Sequence, residues 1–225
     1  MATFVEIQNK VKTRLNKGNV SPIDNKIGEI VNLAIQFFSK NLYYFTKGYA
    51  SFNLVPEVEE LSANTLYPTN VFHIDSMSVE DGSYKYPVEK VSDEDYDDRY
   101  GFSQPSSARP CIYTEQDKKI LLKPKPNKAY KIYLRYYKSY PDLVNDTDTN
   151  DFLQEAEELI IQKALHSVYI DFRIEPTLAA IAEQGWQKIH NDLIQATNVK
   201  NSTGQVKARS LTLDTGKYYN RYNRY

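Results

Sequence analysis

Apolar residues recur at helical spacing at both ends of the chain. Near the N-terminus, one short stripe ends before Gly18, and a second begins after Ser21 and Pro22, which suit an N-cap and the first helical position. Near the C-terminus, two stripes predict one long helix over residues 152–172 and another from Pro176 to about residue 197. The stripes contain Phe4, Ile7, Val11 and Leu15; Ile23, Ile27, Ile30, Val31, Ala34, Ile35 and Phe38; Phe152, Leu153, Ala156, Leu159, Ile160, Lys163, Ala164, Ser167, Val168 and Ile170 to Phe172; and Leu178, Ile181, Ala182, Trp186, Ile189, Leu193 and Ile194.

Between these helical ends, from about Leu42, the apolar period shortens toward two and aromatic and β-branched residues become frequent. Residues 80–83 predict a hairpin turn, and residues 115–117 predict another turn. The polar run 92–100 predicts one or two helical turns or a loop. The predicted strands lie near residues 49–54, 71–79, 84–91, 111–114, 119–122 and 130–137.

The order of elements predicts an α+β fold. We expect the N- and C-terminal helices to form an antiparallel helical bundle, with the β-rich module inserted between them and an extended C-terminal tail. The predicted divisions are residues 1–41 for the N-terminal helices, 42–150 for the β-rich insertion, 151–197 for the C-terminal helices and 198–225 for a basic, tyrosine-rich docking tail.

Composition narrows the class of protein. Cys111 is the only cysteine, so no disulfide forms within one chain and no cysteine-based zinc site is available. No stretch approaches the length of a membrane span, and the first residues lack the charged and apolar pattern of a secretory signal. We therefore expect a soluble protein that is assembled inside a cell.

Charge is segregated along the chain although the net charge is only −1. Residues 198–225 carry a net charge of +5 and residues 1–197 carry −6. Tyrosine is also abundant, with 19 of 225 residues, which suits both strands and protein interfaces. The charged tail residues are Lys200, Lys207, Arg209, Lys217, Arg221 and Arg224, against Asp214.

Motifs for catalysis are missing from the sequence. There is no Gly-x-Ser-x-Gly turn, no phosphate-binding glycine loop and no pair of histidines at the spacing of a helical zinc site. Cys111 follows a proline in a predicted strand and is interpreted as a small buried hydrophobic residue. The acidic residues between 93 and 98 are dense enough to repel one another, which is typical of a solvated face. We predict that the chain is not an enzyme, with no catalytic residue and no cofactor.

One segment resembles a calcium-binding loop in its spacing. Asp146, Asp148, Asn150 and Glu157 stand where oxygen ligands occur in an EF-hand, but Asp151 occupies the position that such a loop gives to glycine. The alternative is a polar linker in which Asn150 or Asp151 caps the following helix.

The tail suggests two kinds of partner. Arginine beside tyrosine can stack on bases and pair with phosphates, as in proteins that bind single-stranded nucleic acid. An extended tail can equally add a strand to a neighbour's sheet while its apolar side chains fill pockets. A merely solubilising terminus is a third interpretation, although four tyrosines in the last eight residues argue against it.

The sequence also resembles a known family. It contains one strand at 109–113, a short strand ending in Pro124 and Pro126, a tyrosine-rich strand at 130–137, and a polar linker from Pro141 into a helix. Together with Leu54, Val55 and Pro56 after the first helices, this order is similar to that of the head-to-tail adaptor proteins (connector, tail tubular or head completion ring proteins) of tailed bacteriophages. The likeness covers about residues 4–197.

The resemblance implies a virion structural protein of the phage neck, assembled in the host cytoplasm. Family members form rings, commonly of twelve copies, that join the portal protein to downstream tail or ring proteins and surround the exit channel of the double-stranded DNA. The family's C-terminal extension often embraces the portal, which implies partner-binding roles for Leu211, Leu213, Tyr218, Tyr219, Arg221, Tyr222, Arg224 and Tyr225. The alternatives are another ring or tail-hub component of the same particle, or a nucleic-acid-binding accessory protein that uses the Arg/Tyr tail.

Overall fold

A computed structural model describes residues 2–15, 23, 25–61, 66–99, 107–116, 119–172 and 175–201. These residues form helices and a curled, mixed β-sheet, so the predicted α+β class is confirmed. Ser21 and Pro22, the predicted start of the second helix, lie outside the described residues.

The described helices are α1 (Phe4–Leu15), α2 (Ile27–Ser39), α3 (Asp93–Arg99), α4 (Asp151–Glu155), α5 (Glu157–Asp171) and α6 (Pro176–Asn201), with a 3-10 turn at Tyr44–Thr46. They follow the predicted apolar stripes, except that Ile170 and Ile181 are 54% and 60% exposed. In α1 the buried side chains are the four stripe residues from Phe4 to Leu15, and α5 lies at the centre, in contact with α1, α2 and α6. Arg14 of α1 donates two hydrogen bonds to the Glu158 carboxylate of α5, at 2.6 and 2.8 Å.

The single helix predicted over residues 152–172 is wrong. Ala156 adopts φ −137° and ψ 33°, which are not helical angles, and it separates α4 from α5. Asn150 caps α4, because its side-chain oxygen accepts a hydrogen bond from the backbone N–H of Leu153 at 3.1 Å. Phe152 is fully buried, and the aromatic rings of Tyr43, Phe45 and Tyr140 surround it at 5.0–5.9 Å between centroids. The apolar spacing continues across Ala156, so it gave no sign of the break.

The last helix is longer than predicted. α6 continues to Asn201, four residues past the expected end at residue 197. Residues 198–201 therefore belong to a helix rather than to an extended tail, and residues 202–225 lie outside the described part of the chain.

The predicted strands are present with boundaries that differ by a few residues. The hairpin turn falls at Gly82 and Ser83, where Gly82 has the positive φ of 63° that glycine tolerates best. Glu115 and Gln116, which were predicted to lie in a second turn, belong instead to β5 (Ile112–Gln116), and Asp117 lies outside the described residues. The polar run at 92–100 contains the helix α3. The strands are β1 (Lys47–Asn53), β2 (Val71–Asp81), β3 (Tyr84–Lys90), β4 (Ser107–Ala108), β5 (Ile112–Gln116), β6 (Lys119–Lys123), β7 (Lys125–Pro126) and β8 (Lys131–Lys138).

Six of these strands form one sheet in the order β1-β8-β2-β3-β5-β6. The pairs are antiparallel except for β3 and β5, which are parallel. Strand β8 therefore lies between β1 and β2, although it is the last strand in the chain. Short strands β4 and β7 form a separate parallel pair.

The two faces of the sheet differ in polarity because side chains alternate along each strand. On β8, Ile132 and Leu134 are fully buried in the core, whereas Lys131 and Arg135 are exposed on the opposite side. We call that opposite side the outer face. The inner face buries Phe52, Ile74, Met77, Val79, Val88, Tyr113, Leu122, Ile132, Leu134 and Tyr136.

A second core belongs to the helices, and polar contacts connect it to the sheet. Tyr43 is fully buried in the helical core just before the chain enters β1. At the end of β8, which pairs with the start of β1, Lys138 and Tyr140 both donate to the Asp151 carboxylate, at 2.8 and 2.6 Å. Among the described helices, none has the length and hydropathy that a bilayer crossing requires.

Candidate assembly surfaces

The predicted docking tail leaves the body at the end of α6, beside the start of β1. The backbone N–H of Tyr44 donates to the hydroxyl oxygen of Thr197 at 3.1 Å, and the Lys200 ammonium lies 3.3 Å from the centre of the Tyr44 ring. Tyr44 begins the 3-10 turn that leads into β1, which is an edge strand whose other side has no strand partner among the described residues. The tail therefore starts next to a sheet edge.

A buried tyrosine and a histidine fix the last part of α6, which we call the root of the tail, to the body of the protein. The Tyr43 hydroxyl lies 2.6 Å from Nδ1 of His190, one of the three histidines. Burial raises the pKa of Tyr43 and lowers the pKa of His190. The pair holds α6 against the segment that precedes β1, which gives His190 a structural role.

The eight predicted partner-binding residues lie beyond Asn201 and so outside the described residues. They are Leu211, Leu213, Tyr218, Tyr219, Arg221, Tyr222, Arg224 and Tyr225.

The outer face of the sheet carries cations around tyrosine rings. The ammonium of Lys85, on β3, lies 3.6 Å from the centroid of the Tyr133 ring on β8, and that of Lys131 lies 5.3 Å from it. The Tyr49 ring, 60% exposed on β1, lies 6.2 Å from the Tyr133 ring. Arg135 is exposed and pairs in register with Tyr49. We call Tyr49, Lys85, Lys131, Tyr133 and Arg135 the basic tyrosine face.

One carboxylate lies within this face. Glu80 accepts a hydrogen bond from the Tyr133 hydroxyl, and it is opposite both Lys85 and Lys131 in the strand register. No ion pair to a described carboxylate is formed by Lys85, Lys131 or Arg135. The three cations and Glu80 together leave this face with a positive charge.

An acidic helix covers the outer face at the other end of the sheet. Tyr96 of α3 is 2% exposed and packs with Val91 and Ile112. Asp93 accepts a hydrogen bond from the Thr114 hydroxyl, and Asp97 lies 3.6 Å from the Lys123 ammonium. Burying Tyr96 explains why so acidic a segment forms a helix.

Three carboxylates of this helix point away from the sheet. Glu94, Asp95 and Asp98 are exposed, and no described cation forms an ion pair with them. We call these three residues the acidic face of α3. The predicted interpretation of this run as a solvated face agrees with their exposure.

A groove of about 550 Å³ lies between α2 and the polar linker that follows β8. Its lining includes Phe4, Leu33, Gln36, Asp142 and Val144. Gln36 donates to Asp142 across it at 2.6 Å, while Leu33 and Val144 are 55% and 79% exposed. The groove holds no cluster of acids, bases or nucleophiles among these residues, so it offers a surface for packing.

The residues considered for chemistry have ordinary contacts. Cys111 is half-buried beside β5, with its sulfur 3.8 Å from the Lys123 carbonyl oxygen. His166 Nδ1 lies 3.2 Å from the Ala179 carbonyl oxygen, and the His73 ring lies 6.2 Å from the Tyr137 ring. None of these contacts places a nucleophile beside a base.

The four calcium candidates do not converge on one point. Asp148 accepts hydrogen bonds from the backbone N–H groups of Val144 and Asn145, which lower its pKa. Asn150 caps α4, and Glu157 forms an ion pair with Lys10 at 2.5 Å. Within the described ranges, no group of three or more His, Cys, Asp or Glu side chains is placed to hold a metal ion. The side chain of Asn150 therefore serves as a helix cap, as the alternative interpretation predicted. The side chain of Asp148 serves to hold the loop together through its hydrogen bonds to Val144 and Asn145.

Sequence reasoning missed the basic tyrosine face. The alternation of Lys131, Tyr133 and Arg135 was visible within one strand, and it predicts that these side chains share a face. Lys85 reaches the same ring from a strand 48 residues earlier, and only the strand order brings it there.

Comparison with known proteins identifies one family. The sequence model of the family described as SU10 adaptor protein matches residues 2–216, which is nearly the whole chain. A search of curated proteins finds no significant match.

Proposed function

The chain belongs to the SU10 adaptor protein family, whose members are phage head-to-tail adaptors, and on this premise we propose that it is the subunit of a ring in the phage neck. The ring, of about twelve copies as in similar adaptors, joins the portal protein to downstream tail or ring proteins. It surrounds the channel through which the double-stranded DNA leaves. The match over residues 2–216 is the observation that carries this proposal.

The proposed role needs binding surfaces and no reaction. A structural adaptor family implies a protein that is not an enzyme, and it implies a place in the virion neck with portal and tail proteins as partners. We expect assembly in the host cytoplasm, without a cofactor and without a membrane.

The tail is proposed to dock on the portal. The eight residues named above, from Leu211 to Tyr225, combine apolar, aromatic and guanidinium groups that suit the buried centre of a protein interface. The root of the tail is fixed, because Thr197 and Lys200 both contact Tyr44. A tail held at its root searches a limited volume, which favours docking on an adjacent ring.

The segregation of charge suits passage of DNA. Residues 1–197 carry a net charge of −6, which disfavours adhesion of the phosphate backbone to the body. We propose that DNA passes the ring without specific binding, while the basic tail contacts protein.

Removal of the tail tests the docking proposal. Truncation after Asn201 keeps the contacts of Thr197 and Lys200 with Tyr44, so the body should fold with an unchanged circular dichroism spectrum. The full chain should co-sediment with the portal protein of the same phage and appear as a symmetric ring by electron microscopy. The truncated chain should not.

A matched variant separates aromatic docking from charge. Replacing Tyr218, Tyr219, Tyr222 and Tyr225 with serine keeps every tail charge and should also abolish portal binding. Portal binding by the truncated chain as strong as that of the full chain would contradict the proposal for the tail. A ring seated on another tail component would favour the related hub role instead.

A nucleic-acid-binding accessory role is the second candidate. Arginines interleaved with tyrosines in the tail favour it. Binding to DNA that weakens steeply with rising salt would support this role, and no measurable binding at low salt would remove it.

A further inference from the structure

We infer that the basic tyrosine face of one subunit binds the acidic face of α3 on a neighbouring copy of the same chain. This inference rests on the proposed ring, because a ring requires each subunit to present two unlike surfaces to its two neighbours. It assigns those surfaces to residues within the body rather than to the tail.

The basic tyrosine face has the composition of an unpartnered interface. Lys85, Lys131 and Arg135 form no ion pair with a described carboxylate, and the first two are held over the Tyr133 ring at 3.6 and 5.3 Å. The 60% exposed Tyr49 ring lies beside them. Tyrosine and arginine are enriched in protein interfaces. A tyrosine ring covers a large area at a low cost in side-chain entropy, and an arginine guanidinium offers several donors to carboxylates.

The acidic face of α3 offers the complementary charge. Glu94, Asp95 and Asp98 are exposed and lack a described ion-pair partner, so they equal the three cations in number and are opposite in charge. The helix itself is anchored, because Tyr96 is buried and its carbonyl oxygen accepts a hydrogen bond from Lys123 at 3.1 Å. Anchoring fixes the three carboxylates as one unit.

The two faces are separated within one subunit. The basic tyrosine face is centred on Tyr133 of β8, and Lys85 reaches it from the start of β3. Helix α3 follows the end of β3 and packs on β5, and strands β2 and β3 lie between β8 and β5. Three steps across the sheet at about 4.8 Å each place β5 roughly 14 Å from β8. No ion pair joins the two faces within the described residues. The complementary charges are thus available to a second copy.

The predicted contact is weak in isolation. Exposed ion pairs contribute little individually and are screened beyond about 8 Å at physiological salt. At physiological salt, a contact of this strength holds subunits together only when many copies are gathered on one template, whereas at low salt the weaker screening allows the free chain to associate. Of the other occupants considered, DNA matches the face less well because Glu80 lies among the three cations.

Two neutral variants of the full chain test the inference. The first replaces Lys85, Lys131 and Arg135 with glutamine. The second replaces Glu94 with glutamine and Asp95 and Asp98 with asparagine. A control replaces the exposed Lys26, Lys40 and Lys188 of the helical body with glutamine, which changes the net charge as the first variant does.

Sedimentation at low salt over a range of protein concentrations gives the readout. The native chain should form species that grow beyond a dimer and dissociate as salt increases. Each neutral variant should bind itself at least about tenfold more weakly, while the control should behave as the native chain does. An equal mixture of the two variants should form a dimer that grows no further, because it contains one intact face of each kind.

Several results would overturn the inference. A native chain that stays monomeric at low salt, self-association that survives either neutral variant, or a native dimer that grows no further would each exclude the contact. Nucleic-acid binding that is lost only in the first variant would assign that face to nucleic acid instead. Portal-bound rings formed normally by both variants would exclude the contact but leave the proposed function standing. If the native chain self-associates as described but forms no portal-bound rings, the contact would stand and the proposed function would be excluded.

Discussion

Strand β1 contains a glycine whose replacement should destabilise the protein. Gly48 is opposite Tyr136 in the register of β1 and β8, and the Tyr136 ring fills the space where a side chain would be. An added Cβ would lie 2.5 Å from Cζ of that ring and 2.8 and 2.9 Å from its two Cε atoms. Carbon atoms pack at about 3.5–4.0 Å, so the ring must move by about an ångström. Tyr136 is 7% exposed and belongs to the sheet core, which leaves it little room.

Two opposing effects set the size of the change in Gly48→Ala. Overpacking in a core costs typically about 1–3 kcal/mol. Replacing glycine with alanine also restricts the unfolded chain, which stabilises the native state by about 0.4–1 kcal/mol. We expect a net loss of about 1–2 kcal/mol in the free energy of unfolding. Equilibrium unfolding in urea, monitored by fluorescence and circular dichroism, measures it.

A matched substitution should have the opposite sign. Gly28 lies in α2, and an added Cβ would lie 3.4 Å from the Phe4 ring, close to ordinary contact. Gly28→Ala should therefore stabilise the protein by up to about 1 kcal/mol through helix propensity. Shrinking the ring in a Tyr136→Leu background should reduce the loss caused by Gly48→Ala. The reasoning fails if Gly48→Ala is as stable as the native protein, or if its loss is unchanged in that background.

Three further predictions follow from single contacts. Asn150→Ala removes the cap of α4 and should cost about 1 kcal/mol in urea unfolding, while Asn150→Asp should retain most of the stability; equal losses would argue against the cap. Hydrogen bonds from Arg14 lower the pKa of Glu158 below 4.5, so this contribution to stability is present above about pH 4.5 and is lost as the pH falls through the lower folded-state value. Glu158→Gln should flatten the acid limb of the stability profile, and an unchanged limb would contradict this. Burial lowers the pKa of His190 below 6.5, so stability should decline as the pH falls below about 6.5, and His190→Gln should remove that decline in thermal unfolding.

Local patterns predicted the elements well, because the apolar spacing within one helix or strand reflects which of its own side chains are buried. The stripe from Phe4 to Leu15 is buried as expected, and Gly82 stands at the turn that its neighbours indicated. The break at Ala156 escaped prediction because the apolar spacing runs through it, while the rings that pack on Phe152 come from Tyr43 and Phe45, more than a hundred residues away. Strand order escaped for the same reason. Nothing near residues 131–138 states that this strand pairs with both β1 and β2.

The candidate surfaces show the same division between local and distant information. The sequence located a tail whose charge and tyrosines are contiguous, and it predicted α3 as a helix or a loop. It also assigned only a net charge of −6 to residues 1–197, whereas the folded body separates a basic tyrosine face from an acidic helix. A net charge cannot show such separate surfaces, because the order of the strands decides which charged residues lie together.

This separation changes what the tail must do in assembly. If the body faces hold neighbouring subunits together, then the tail is free to bind the portal, and the two activities depend on different residues. Truncation after Asn201 leaves Lys85, Lys131, Arg135 and α3 in place, so it should abolish portal binding but preserve salt-sensitive self-association. The neutral body variants should show the opposite result. Their tails should still bind the portal, but fewer subunits should be bound to each portal, because neighbouring subunits no longer stabilise one another. A truncated chain that lost both activities would show instead that the tail itself joins the subunits.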